Sequence, residues 1–172
     1  MRNVHPARPI LSICLTCRDG REGSETDSRG GTRLAEAILA RLDGSSTEFQ
    51  LRGVRCMSQC KRACVATLTA TDRFSYVFGD LDPETPEHSD ALLALPALYL
   101  AAPEGFLRRD ERPEPLRARI LGRLPPPDTA SDLVTLLAPE ANASTGTHLK
   151  ERSSVSGGED ASSGAGEARA RL

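Results

Sequence analysis

The feature that most constrains this chain is the spacing of its cysteines. Cys56-Met-Ser-Gln-Cys60-Lys-Arg-Ala-Cys64 repeats the residue every four positions, and Cys14-Leu-Thr-Cys17 supplies the other two of five. Scattered free cysteines behave as small buried hydrophobes. A C-x-x-C together with a C-x-x-x-C-x-x-x-C points instead to thiolates that folding brings to one place, which is how zinc and iron–sulfur clusters are held. The fold must therefore close a gap of 38 residues between Cys17 and Cys56.

Compartment decides what such thiols do. The apolar run Ile10 to Leu15 is too short for a signal peptide and runs into the C-x-x-C. No segment approaches the ~20 apolar residues that span a bilayer. The expectation is a cytoplasmic protein with no membrane partner. Thiols stay reduced there, so clustered cysteines mean metal or redox chemistry more often than disulfides. An odd cysteine count argues the same way. With a formal charge of -2 the 172-residue chain lacks the basic footprint of a nucleic-acid binder, so no nucleic acid is expected either.

Periodicity places the elements. Pro9 to Leu15 reads as a strand that delivers Cys14 and Cys17 to its end. Residues 18–32 read as a loop, and Thr32 as the cap of a helix to about Leu42, with Leu34, Ala35, Ile38, Leu39 and Leu42 at helical spacing and Asp43-Gly44 as its stop. Phe49, Leu51 and Val54 mark a strand leading into Cys56. VATLTA and FSYVFG form a hairpin around Thr71-Asp72-Arg73. A helix follows from Pro86 to Ala101, with a kink or split expected at Pro96. Residues 103–126 are arginine-rich, with a short helical piece at about 115–124, and 132–137 read as a last short helix. From residue 141 the chain has too few large apolar residues to offset its ordering entropy and reads as a disordered tail. The order β-α-β-β-β-α specifies an α+β domain over 9–127, a small mixed sheet with helices packed on it. Residues 128–140 hold the last helix and 141–172 the tail.

This order suggests how the cysteines meet. If the first two strands lie side by side and parallel, a right-handed crossover through the first helix puts both cysteine pairs at one edge of the sheet. Were residues 56–64 fully helical, Cys56 and Cys64 would stand ~12 Å apart along the axis. The expected ligands are therefore Cys14, Cys17, Cys56 and Cys60, with Cys64 as a substitute.

Two rivals use the same residues. In a dithiol enzyme Cys14 would be the nucleophile and Cys17 the resolving thiol. Such a site sits at a helix N-terminus, whereas some fourteen residues separate Cys17 from the predicted helix, and no proline lies between Pro9 and Pro83 to serve as a cis-proline. Structural zinc favours two C-x-x-C pairs closer together in sequence. Elsewhere the signals are weak. His5, His88 and His148 lie in polar stretches, and Asp80 and Asp82 read as a strand end and turn cap. Gly20, Gly23, Gly30 and Gly31 make no phosphate-binding fingerprint. Arg108, Arg109, Arg112, Arg117, Arg119 and Arg123 either face an acidic partner or, the blander reading, coat a packed arm.

The run VRCMSQCKRACVATL followed by YVFGDL resembles the second half of thioredoxin-like 2Fe-2S ferredoxins and of the small iron–sulfur subunit of bacterial NADH dehydrogenase. Cys56 and Cys60 match the two ligands of their C-(L/M)-G-x-C turn, while Cys64 stands near a proline that this chain lacks. The ferredoxins space their first two ligands more widely than C-x-x-C. A closer likeness is to an uncharacterised bacterial family of predicted metal-binding proteins, carried by Cys14–Cys17, Cys56–Cys64, Tyr76–Leu81 and Arg112–Pro126 over residues 9–127. Its genes are often found near cobalamin-synthesis or metal-homeostasis genes. The resemblance implies a thioredoxin-like fold and a 2Fe-2S cluster used in electron transfer, with zinc or cobalt handling as the alternative. It implies a non-enzymatic protein with a redox partner protein, and leaves a homodimer open.

Overall fold

Five short apolar runs pair into one sheet in the computed structural model, which describes residues 8–24, 27–42, 48–127, 131–135 and 137. β1 (Ile10–Cys14) is buried along nearly its whole length, and β3 (Cys64–Thr69) is buried through Ala66 and again at Leu68. Such continuous apolar runs suit interior strands covered on both faces. β2 (Gln50–Val54) and β5 (Ile120–Leu124) are more exposed and form the edges; β4 (Ser75–Leu81) lies between β3 and β5. The sheet order is β2-β1-β3-β4-β5. β1 and β2 are parallel with Cys14 opposite Val54, and every other pairing is antiparallel.

α1 (Gly30–Leu39) is the crossover between the parallel strands and buries Leu34 and Ile38 against β1, β3 and the second helix. Thr32 does not cap it. Its hydroxyl donates to the Leu15 carbonyl at 3.1 Å, and the first helical amide, Gly30 N–H, is capped from a distance by the Glu22 carboxylate at 3.0 Å. A carboxylate there satisfies an orphan donor and complements the positive end of the helix. α1 ends at Leu39, short of the expected Leu42, which lies outside it but packs on the core.

α2 (Pro86–Ala101) begins with proline at its first position, where no amide partner is needed. It runs unbroken through Pro96, so the predicted split does not occur. Pro96 is buried with Leu92, Leu95 and Tyr99, and that packing outweighs the lost hydrogen bond. The Tyr99 ring meets Tyr76 of β4 edge-on at 6.1 Å.

The helical piece expected at 115–124 is instead a single 3-10 turn, Glu114–Leu116, followed by β5. A short run such as ILGRL does not distinguish helix from strand by period; the open edge of β4 settled the matter. Residues 131–135 form a turn closed by Val134 N–H to the Ser131 carbonyl at 3.0 Å, not the start of a helix. So few residues do not propagate a helix unless tertiary packing supports it. The Arg-rich arm is structural in large part. Arg112, Arg117, Arg119 and Arg123 donate to backbone carbonyls, and Arg123 lies 3.6 Å over the Phe106 ring. The tail from 141, His5, His148 and Asp43-Gly44 lie outside the described residues. No described helix is long and apolar enough to cross a membrane.

Candidate metal centre

The two cysteine segments leave neighbouring strands at the same end of the sheet. Past Cys14 and Val54 the parallel ladder continues, with Leu15 N–H donating to the Val54 carbonyl at 2.8 Å and the Thr16 hydroxyl to the Arg55 carbonyl. Cys17 and Cys56 follow from these two ends. The antiparallel β3 begins at that end with Cys64.

Residues 56–63 are not an α-helix. They form an irregular loop with one 3-10 turn, Cys60–Arg62. Cys56 and Cys60 are exposed, and the Cys56 Sγ accepts the Ser58 amide at 3.3 Å. Cys14 and Cys17 are each 2 % exposed and Cys64 0 %. The 12 Å separation that counted against Cys64 belonged to a helix that does not exist.

The start of α1 packs directly on the buried thiols. Gly31 N–H donates to the Cys17 carbonyl at 3.1 Å. A Cβ on Gly31 would stand 1.9 Å from the Cys14 carbonyl oxygen, and one on Gly30 would stand 3.0 Å from the Cys64 Sγ and 2.8 Å from the Asp19 Cγ. Only glycine lets the helix come this close. The long loop after Cys17 therefore doubles back, and sequence distance from the helix is not spatial distance. Cys17 thus lies beside the start of α1 despite the residues between them, contrary to the separation expected from sequence; no cis peptide is found among the described residues.

Ion pairs hold the loop in place. Asp19 pairs with Arg21 at 2.8 Å and with Arg33, and Arg21 reaches Asp82 at 2.9 Å. Asp82 thereby ties the β4–α2 junction to the cysteine loop, and it also accepts the Glu84 amide, as expected of a turn cap. Arg21 holds the Asp82 carboxyl below its ordinary range. His88 is buried, contrary to the polar setting read from sequence, and its Nδ1 accepts the Asp82 amide at 2.9 Å.

The thiols divide in their titration. Burial acts to raise Cys14, but hydrogen bonds from Cys17, Thr16 and the Met57 amide outweigh it, and its value falls below the usual thiol range. Burial, then the hydrogen bond and charge of Cys14, pushes Cys17 up to about 12. Burial and the Asp19 charge do the same to Cys64, also to about 12. Amide donors meet the first pair, Met57 at Cys14 and Val65 at Cys17, the arrangement that stabilises sulfur carrying negative charge.

Soft thiols, amide donors to sulfur and a glycine-lined helix start fit a thiophilic metal by donor chemistry. The set is not closed: among the described residues, no three His, Cys, Asp or Glu side chains stand grouped to hold one ion. Cys56 and Cys60, on the exposed loop, are the cysteines that the core does not hold. An apolar cleft of about 710 Å³ between Leu98, Phe106, Leu107 and Leu133 lies on other elements and holds no nucleophile.

Residues 11–126 match the family described as Protein of unknown function (DUF1636). No curated protein and no solved structure matches the chain.

Proposed function

The chain belongs to the DUF1636 family, and from that premise we propose that this domain is a thiolate-ligated metal-binding protein whose centre lies at the end of β1 and β2. The observation that carries the reading is that the parallel pairing of β1 and β2 brings Cys14-x-x-Cys17 beside the segment that begins at Cys56, with the start of α1 packed on the buried thiols. The ligands are drawn from Cys14, Cys17, Cys56 and Cys60, with Cys64 as a substitute.

Our finer reading is a thioredoxin-like 2Fe-2S ferredoxin, for which the β-α-β unit followed by a hairpin and helix is the supporting order. When bound, such a cluster supplies one-electron transfer to a redox partner protein. The residues of the chain contribute the rest. Met57 and Val65 amides stabilise charge on sulfur, and the core around Cys14, Cys17 and Cys64 excludes water. A zinc- or cobalt-binding role in metal handling is the second reading, favoured by one observation, the burial of both Cys14 and Cys17 at the end of β1, which suits two ligands of a single ion.

Absorption spectroscopy with iron, sulfide and zinc analysis on anaerobically purified full-length protein tests both readings. Iron and sulfide in equal amounts, with visible bands that bleach on reduction, is the expected result. Zinc or cobalt without sulfide moves the function to metal handling. A metal-free protein with a reducible Cys14–Cys17 disulfide overturns both in favour of a dithiol enzyme.

A further inference from the structure

We infer that the cleft between the start of α2 and the turn Glu114–Leu116 is a binding site for a small zwitterion of the α-amino acid class. The cleft has a volume of about 330 Å³, and no cysteine lines it.

Two fixed donors are suited to a carboxylate. His88 is 5 % exposed, and its Nδ1 accepts the Asp82 amide at 2.9 Å. A neutral imidazole that accepts at Nδ1 carries its proton at Nε2. That second nitrogen has no hydrogen-bond partner among the described residues, and the ring lines the cleft, so its N–H is free for a ligand there. Arg119 lines the same cleft. Its Nη1 donates to the Asp80 carbonyl at 2.9 Å, which holds the guanidinium in place, yet it pairs with no carboxylate among the described residues. Arg21, Arg33, Arg41, Arg62 and Arg108, by contrast, each pair with an acid. A guanidinium without a counter-ion beside a fixed N–H is a donor set for a carboxylate. α2 adds its positive end, since the Thr85 side chain caps no amide.

Two acids complete the cleft and exclude a simple anion. Glu87 on α2 and Glu114 on the turn both line it, and both are exposed. Neither pairs with Arg119 or any other base among the described residues, although all three side chains border one cleft. Carboxylates at this distance from the donors repel phosphate and attract an ammonium group. A ligand that carries both charges satisfies the donors and the acids together. Size narrows the class further. The volume stands at the low end for small-molecule sites, and Pro115 and Ala118 offer only a short apolar wall. The side chain of the amino acid is therefore small.

The test titrates the full chain with L-alanine, and with propionate and ethylamine as analogues that each lack one charged group, reading backbone amide shifts by NMR. We expect shifts confined to residues 85–89 and 114–119. L-Alanine binds at least about tenfold more tightly than either analogue, the factor that one hydrogen bond to a charged group is worth. Arg119→Gln weakens both L-alanine and propionate by that factor, and the double variant Glu87→Gln, Glu114→Gln brings L-alanine down to the level of propionate. Far-UV circular dichroism establishes that each variant is folded. If Arg119→Gln does not fold, the double variant decides, since both of its changes are exposed. Three results overturn the assignment: a spectrum that L-alanine leaves unshifted, inorganic phosphate bound more tightly than L-alanine, or an undiminished preference for L-alanine over propionate in the double variant.

Discussion

Two sets of cysteines in one small domain differ in almost every physical respect. Cys14, Cys17 and Cys64 are core residues on interior strands or just past their ends, packed under the start of α1. Cys56 and Cys60 sit exposed on a loop with left-handed backbone at Ser58 and Ala63. Residue type is the same; what differs is how much the fold has already done. The ordering entropy of the buried thiols is met by folding. In the proposed metal-binding reading the exposed ones would be ordered only at the moment of binding, which lowers net affinity but provides a way in and out.

The largest expected effect comes from breaking the buried side. Gly31→Ala places a methyl 1.9 Å from the Cys14 carbonyl, a backbone atom that does not yield. We expect a loss of about 3 kcal/mol or more, at or beyond the upper range for overpacking. Gly122→Ala, with nothing within 4 Å, serves as the control and stays within about 1 kcal/mol. Chemical denaturation of both variants measures the difference, and equal midpoints would show that the helix start is not pressed against β1.

Alkylation by iodoacetamide sharpens the contrast without mutation. In metal-free protein Cys56 and Cys60 react first, and Cys14, Cys17 and Cys64 at least about a hundredfold more slowly, the protection given by an opening free energy of about 3 kcal/mol. Peptide mapping over time reads the order. Early labelling of Cys14, whose thiol is shifted toward the reactive anion, would break the division drawn here.

A smaller effect is the pH dependence of the metal-free protein. Cys17 and Cys64 are raised from 9.0 to about 12 in the fold, so the folded state binds their protons more tightly than the unfolded state does. That contribution is fully present below pH 9 and is lost as pH rises from 9 toward 12. Denaturation midpoints should fall over that interval, less steeply in Cys64→Ala after allowance for its lower starting stability. A flat profile would mean the two thiols are better hydrated than their burial indicates.

Much of the fold was legible because it rests on local pattern. β1, β2, the hairpin of β3 and β4, and α2 lie where apolar period and turn residues place them. β5 was read as helix because five residues carry too little period, and His88 as polar because its neighbours in sequence are. Cys64 was discounted on a helical distance, although the chain between Cys56 and Cys64 is a loop. Each misreading concerns a residue whose setting is supplied by chain far away.

The amino-acid order alone determined the mixed α+β class, the parallel β1–β2 unit and the gathering of cysteines at one end of the sheet. These follow from hydrophobic period and from the single hand of the crossover, both properties of short stretches of chain. Only the tertiary structure decided which thiols are buried and how closely Gly30 and Gly31 press on them. Those depend on contacts between residues far apart in sequence, whose geometry is set by packing the whole domain at once.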